Sequence, residues 1–256
     1  MTGAVMSKLL SSLAQVENLL VCVDFDGTIC ELGPDAYAVQ PHPGAITALE
    51  ELAGLSGTTV AVLSGRHLEG LRQVCPLREP VILVGSHGAE PTHGGPTLSA
   101  DEQAELDRIG AELKRIAVAP SFVEEKPYQR VLHVAKVKDV TLRAAMLRDA
   151  LALTSRIPPM PGHNVVEFSA VTTTKGTWLA AEKTRFDATL FAGDDVTDET
   201  ALAVLDPARG DVGIKVSAAT GSTGSAETCA QHRLGSVEEM AQFLLNLAVA
   251  RRSAQD

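Results

Sequence analysis

Leu19-Leu20-Val21-Cys22-Val23-Asp24-Phe25-Asp26-Gly27-Thr28-Ile29 is an apolar run that ends in two carboxylates, a glycine and a threonine. Apolar residues without alternation read as a strand buried on both faces, the centre of a parallel sheet. Gly27 breaks the run, so Asp24 and Asp26 stand at the strand's carboxyl end, the edge where open α/β sheets bind ligands. Acids at i and i+2 project to the same side of an extended chain. At ~4 Å their repulsion reaches several kcal/mol at low effective dielectric. A fold that keeps both there is expected to supply a cation or a shared proton.

Outward from this stretch the pattern is strand, helix, strand. A helix is expected around Pro43–Leu55, a strand at Thr58–Leu63, a helix around His67–Gln73 and a strand at Val81–Val84, the rhythm of a doubly wound α/β sheet. After Gly94-Gly95-Pro96 the rhythm changes. Ser99–Val118 carries a helical apolar stripe through Leu106, Ile109 and Leu113, Phe122–Val137 reads as a hairpin, Val140–Leu153 as a helix and Asn164–Ser169 as a strand. The core rhythm returns with a helix from about Lys175 to Thr184, a strand at Ala188–Ala192, a helix at Glu199–Leu205, a strand at Val212–Val216 and a helix near Val237–Ala250. The expected organisation is a Rossmann-like parallel-sheet core, residues 1–96 and 173–256, interrupted by an α+β insert, residues 97–172. Gly221–Ser225 reads as a solvated loop.

Charge narrows the partners. The net charge of −10 argues against nucleic acid or an anionic membrane as the main partner. The insert holds ten basic and ten acidic residues, leaving the core 12 of the chain's 22 basic and 22 of its 32 acidic groups. An anionic substrate would meet an acidic platform, and that asks for a bound cation. No apolar run reaches the ~18 residues that span a bilayer, and residues 1–15 carry no signal-peptide pattern. Cys22, Cys30, Cys75 and Cys229 have no metal-type spacing and read as structural thiols of a reduced cytoplasmic protein.

Four short segments fall at the ends of core elements: Asp24–Thr28, Ser64-Gly65-Arg66, Lys175-Gly176 and Gly193-Asp194-Asp195-Val196-Thr197-Asp198-Glu199. In this order they resemble the haloacid-dehalogenase-like phosphatase superfamily, whose pattern is Asp-x-Asp-Gly-Thr, Ser/Thr, Lys and Gly-Asp-x-x-x-Asp. The resemblance implies that Asp24 is a nucleophile taking the phosphoryl group and that Asp26 is the acid/base. Ser64 and Lys175 would hold phosphoryl oxygens, with Gly65 and Arg66 also at the substrate. Mg²⁺ would be bound by Asp24, the backbone carbonyl of Asp26 and Asp194, with Asp198 assisting. The chemistry is coherent: a carboxylate can form a covalent intermediate, and Mg²⁺ prefers hard oxygen ligands.

The insert's position resembles a C2-type cap, which selects substrate. Several details are similar to the trehalose-6-phosphate phosphatase family: Gly193–Glu199, His87-Gly88-Ala89-Glu90, Glu124-Glu125-Lys126 with His133, and Val165-Val166-Glu167 before Lys175-Gly176. By this resemblance His87, Glu124, Lys126, His133 and Glu167 would contact a small-molecule sugar phosphate; a monomer is expected, with neither nucleic acid nor membrane as partner. Gly94-Gly95-Pro96 and Ala170–Thr174 are the candidate hinges of the insert. One departure stands out. The family commonly reads His-Tyr-Arg where this chain has His133-Val134-Ala135, so Arg130 or Lys136 would have to replace the missing cation. The alternatives are another sugar phosphate (glucosyl- or mannosyl-phosphoglycerate, sucrose phosphate), a phosphomutase reaction, or a phosphosugar-binding module without catalysis.

Overall fold

The computed structural model describes residues 3–33, 35, 37–156, 158–162, 164–217 and 227–255; the loop at Gly221–Ser225 lies outside them. The chain divides into two compact units, residues 1–94 with 173–256 and residues 95–172. The division falls within the two stretches singled out as hinges.

In the larger unit the chain runs α1 (Gly3–Ala14), β1 (Leu19–Val23), α2 (Pro43–Ala53), β2 (Thr58–Leu63), α3 (Leu68–Val74), β3 (Ile82–Gly85) and β4 (Glu90–Pro91). The insert contributes α4 (Ala100–Ile116), β5 (Phe122–Glu125), β6 (Gln129–His133), α5 (Val140–Leu151), β7 (Met160–Gly162) and β8 (Val165–Ser169). The larger unit resumes with α6 (Lys175–Glu182), β9 (Ala188–Gly193), α7 (Glu199–Leu202), β10 (Val212–Val216), β11 (His232–Leu234) and α8 (Val237–Gln255). Its sheet has the order β11-β10-β9-β1-β2-β3-β4, parallel except for β4 at one edge.

β1 is central, and all five of its residues are fully buried. Leu19, Val21 and Val23 pack into a cluster with residues of α1, α2 and α8, such as Leu13, Leu49 and Leu244. Leu20 and Cys22 point to the other side, against Leu179 of α6 and Leu202 of α7. This period-2 division of an unbroken apolar run is why the strand shows no alternation in the sequence. No helix among the described residues is long and apolar enough to cross a membrane.

The insert is an antiparallel sheet of order β5-β6-β8-β7 with α4 and α5 packed on one face. Ser99 opens α4 with a capping box to Glu102, satisfying two amides of the first turn. Ile109 and Leu113 meet Leu132, Val166 and Phe168 in the insert's own core.

Sequence reading missed α1 and the short strands β4, β7 and β11, and it placed the end of α7 too late, at Leu205. α1 is held from a distance. The guanidinium of Arg251 in α8, 1% exposed, donates to the carbonyls of Leu13, Val16 and Gly57 and to the hydroxyl of Thr58. Leaving several buried carbonyls without donors is costly. Arg251→Met should therefore lower stability by about 3 kcal/mol, read as a drop in the urea midpoint at unchanged slope. An unchanged midpoint would show that the cap is dispensable.

Candidate active site

The order β9-β1-β2 sets three carboxyl ends side by side. Val23 pairs with Val62 on one side and Ala192 on the other, so Asp24, Ser64 and Asp194 emerge from neighbouring strands at one edge. This is the topological switch point at which open α/β sheets bind ligands. Lys175 arrives from the first turn of α6, whose N-cap Thr174 forms a capping box with Thr177.

Lys175 Nζ lies 2.6 Å from Asp24 Oδ1 and 2.7 Å from Asp198 Oδ1, with lysine and both acids buried. Burial would lower the ammonium's pKa, but Asp24 and Asp198 override it and hold Lys175 charged, above the usual lysine range. Burial pushes the Asp24 carboxyl well up; Lys175 pulls it back, while Asp198 and Asp194 add to the rise. Burial, then the charges of Asp198 and Asp195, push Asp194 up from 3.8 to about 7, against the pull of Lys175 and Lys215.

Ligand oxygens of Asp24, Asp194 and Asp198 all lie within 4.8 Å of one another. Three carboxylates face one ammonium, so the cluster retains surplus negative charge and an all-oxygen donor set. That chemistry fits a hard divalent cation such as Mg²⁺. Asp198 is the least available donor. Its Oδ2 accepts from the backbone amides of Asp194 (3.0 Å) and Asp195 (2.9 Å) while Oδ1 accepts from Lys175. It shapes the acidic loop, and Asp24 and Asp194 remain the freer oxygen donors. Two glycines make the crowding feasible. A Cβ on Gly27 (φ 74) would sit 2.1 Å from Asp194 Oδ2, and one on Gly193 would sit 2.3 Å from Asp198 Cγ.

Asp26 departs from the expectation that the two acids of the first motif project to the same side of an extended chain. β1 ends at Val23 and the backbone turns, so the period-2 projection no longer applies after Asp24. The Asp26 carboxylate instead receives a fork from Arg66, Nε to Oδ2 at 2.7 Å and Nη2 to Oδ1 at 2.6 Å.

Ser64, 1% exposed, accepts from the amide of Arg66 at 3.1 Å. The Ser64-Gly65-Arg66 loop is clamped by the next one: Ser86 N–H donates to Arg66 O (2.6 Å) and His87 N–H to Ser64 O (2.9 Å). Ser86 and His87 both have positive φ, 47° and 55°, a conformation that non-glycine residues keep only when surroundings enforce it. Glu90 enforces it by bonding the Ser86 hydroxyl and accepting from Leu68 N–H. The His87 imidazole lies against Gly65, where a Cβ would come within 2.6 Å of the ring.

The structure thus brings together Asp24, Ser64, Lys175, Asp194 and Asp198, with Asp26, Gly65, Arg66 and His87 on adjoining loops. Sequence reading passed over Lys215. This lysine is 5% exposed in β10 and donates to the Asp195 carbonyl (2.8 Å) and to Glu199 (2.7 Å). Its one signal is a lysine inside the otherwise apolar strand Val212–Val216.

In the insert, Glu124, His133 and Glu167 share the sheet face turned away from α4 and α5. His133 Nε2 is 2.9 Å from Glu124, and Lys126 Nζ is 3.9 Å from the same carboxylate. Burial raises the Glu167 pKa, opposed by Lys126 and reinforced by Glu124. Arg130 is not among them. It alternates to the helix face, 6% exposed, where it donates to the Lys126 and Gln129 carbonyls and meets Asp107 of α4 at 3.3 Å. The pleat that carries His133 to one face carries Arg130 to the other, so Arg130 does not replace the arginine missing after His133.

Residues 22–237 match the family model described as trehalose-phosphatase. The chain belongs to the trehalose-phosphatase family. It is 30% identical over 247 residues to the trehalose-phosphate phosphatase of Mycobacterium ulcerans, covering 89% of this chain and 61% of that protein. It is 31% identical over 251 residues to the enzyme of the same description from Mycobacterium marinum, again 89% and 61%. The chain therefore spans less than two thirds of these relatives' length. Among solved structures, the fold is similar to the C-terminal domain of C. albicans trehalose-6-phosphate phosphatase (TM-score 0.73, 19% identity, 95% of this chain and 97% of that one). It is also similar to the Aspergillus fumigatus trehalose-6-phosphate phosphatase (TM-score 0.65, 20% identity, 95% and 97%).

The acidic cluster has a pH signature. Without divalent ions, Asp194 binds its proton more tightly in the folded chain (about 7) than at its ordinary 3.8. Stability should then fall as pH rises through that window, because the folded state holds more protons. Thermal melts in EDTA should show Asp194→Asn flatter than wild type between about pH 4 and 7. Parallel profiles would remove Asp194 from the strained cluster.

Proposed function

We propose that this chain is a Mg²⁺-dependent phosphatase that releases trehalose and inorganic phosphate from trehalose 6-phosphate through an aspartyl phosphate. The observation that carries the reading is Asp24, held by buried Lys175 beside Asp194 and Asp198 at the sheet's switch point, in a chain of the trehalose-phosphatase family.

Lys175 anchors Asp24 through Oδ1, fixing the carboxylate's orientation for attack on phosphorus. Attack forms an Asp24 O–P bond and breaks the bond to the sugar oxygen, which takes a proton from Asp26. A water that gives its proton back to Asp26 then attacks the aspartyl phosphate, releasing phosphate and restoring Asp24. Both Asp26 oxygens accept from Arg66, so Arg66 has to release the carboxylate for each proton transfer, and Ser64 and Lys175 hold phosphoryl oxygens. Mg²⁺, held by Asp24, Asp194 and the Asp26 carbonyl with Asp198 shaping the loop, would screen the phosphate's charge from the attacking carboxylate. In the insert, Glu124, Lys126, His133 and Glu167 are donors and acceptors suited to sugar hydroxyls.

A second reading, a phosphatase for another sugar phosphate such as sucrose phosphate or a glycosyl-phosphoglycerate, is favoured by one observation. The family's arginine after His133 is absent here, and Arg130 faces the insert's helices.

The deciding experiment is phosphate release from a panel of sugar phosphates with Mg²⁺ or EDTA. Selective, Mg²⁺-dependent release from trehalose 6-phosphate is expected; preference for another ester would overturn the substrate and keep the chemistry. Asp24→Asn should lower kcat by at least ~10³-fold with the fold retained, and near wild-type turnover would exclude Asp24 as nucleophile. Glu167→Gln should raise KM for the sugar ester about tenfold and affect p-nitrophenyl phosphate far less. Equal losses on both would take Glu167 out of sugar recognition.

A further inference from the structure

Paired residues of an antiparallel ladder share a face, so Glu124, Val131 and Glu167 form one row across β5, β6 and β8. Gln129 and His133 lie two residues to either side of Val131 on β6. Val131 is thus an apolar floor ringed by four polar side chains. Each carboxylate is tied to one neighbour on β6: Glu124 to His133 at 2.9 Å, and Glu167 Oε1 to the amide nitrogen of Gln129 at 3.0 Å.

Gln129 differs from the other three. It is 3% exposed, and its Oε1 is a buried acceptor with no hydrogen-bond partner among the described residues. An ionised carboxylate only accepts, so the bond to Glu167 fixes the NH₂ end of the amide and turns Oε1 the other way. Buried acceptors without donors are rare in folded chains.

We infer that Gln129 is a specificity-determining residue: its Oε1 accepts a hydrogen bond from a hydroxyl of the substrate's glycosyl part while its NH₂ holds Glu167 for another hydroxyl. This rests on the sugar-phosphate reading above. A sugar hydroxyl supplies the donor that Oε1 lacks, and an aryl ester does not.

The test compares wild type, Gln129→Met (similar length, no hydrogen bonding) and Gln129→Asn (the amide withdrawn by one methylene). Substrates are trehalose 6-phosphate, its monodeoxy analogues in the non-phosphorylated ring, and p-nitrophenyl phosphate. Both variants should lose at least about tenfold more kcat/KM on trehalose 6-phosphate than on the aryl ester. One deoxy analogue should lose activity with wild type, and Gln129→Met should cost that analogue less than it costs trehalose 6-phosphate. Losses that add across every analogue, or that are equal on sugar and aryl esters, would overturn direct contact. If Gln129→Met does not fold, Gln129→Asn decides by the same criterion. Wild-type turnover of trehalose 6-phosphate with unchanged variants sinks this inference alone; a wild type inactive on that ester sinks the substrate reading and this inference with it.

Discussion

The ammonium of Lys175 between Asp24 and Asp198 is the interaction on which the site depends. Charges leave water only when paired and hydrogen-bonded, and here one cation serves two acids with a third, Asp194, close by. The arrangement needs β9 and β2 on either side of β1, a helix that begins at Lys175, and glycine at 27 and 193. Remove the ammonium, and two buried carboxylates would face each other without compensation. Even with it the cluster remains crowded with carboxylates, and burial with the charges of Asp198 and Asp195 pushes the Asp194 carboxyl up to about 7.

The loops around this cluster are built differently. Asp26 is steered by a guanidinium, and the Ser64–Arg66 loop is gripped by amides of a left-handed turn that Glu90 maintains. Hydrogen bonds therefore do much to set the spacing of Asp26, Ser64 and Asp24. In the insert, Glu124, His133 and Glu167 stand on one sheet face, where the pleat fixes which side chains lie together. Strands position side chains more rigidly than loops.

Much of this was legible in the sequence. The unbroken apolar run at Leu19–Val23 announced a strand buried on both sides, and the strand-end positions of Asp24, Ser64 and Asp194, with Lys175 at the start of a helix, announced one edge. The misreadings have physical causes. Asp26 was extrapolated along a strand that stops at Val23, because periodicity cannot tell where a strand ends. Arg130 carries the charge the position calls for, but its parity relative to His133 places it on the other face. Gln129 has the right parity and was passed over because a neutral amide in a strand carries no compositional signal. α1 was missed because the contact that holds it comes from Arg251, hundreds of residues away in sequence.

The pairing of β1 has a consequence for how the chain is made. Leu19 finds Thr58 soon after synthesis, but its other neighbour is Ala188, beyond the whole insert. At about 5–20 residues per second, translation leaves one side of that strand without its partner for roughly ten seconds or more. The insert, whose strands pair among themselves, can form during the interval. For that time the most apolar strand of the protein has an open edge, the kind that invites pairing with another chain. The order of segments that creates the active edge thus exposes the nascent chain to aggregation until β9 emerges.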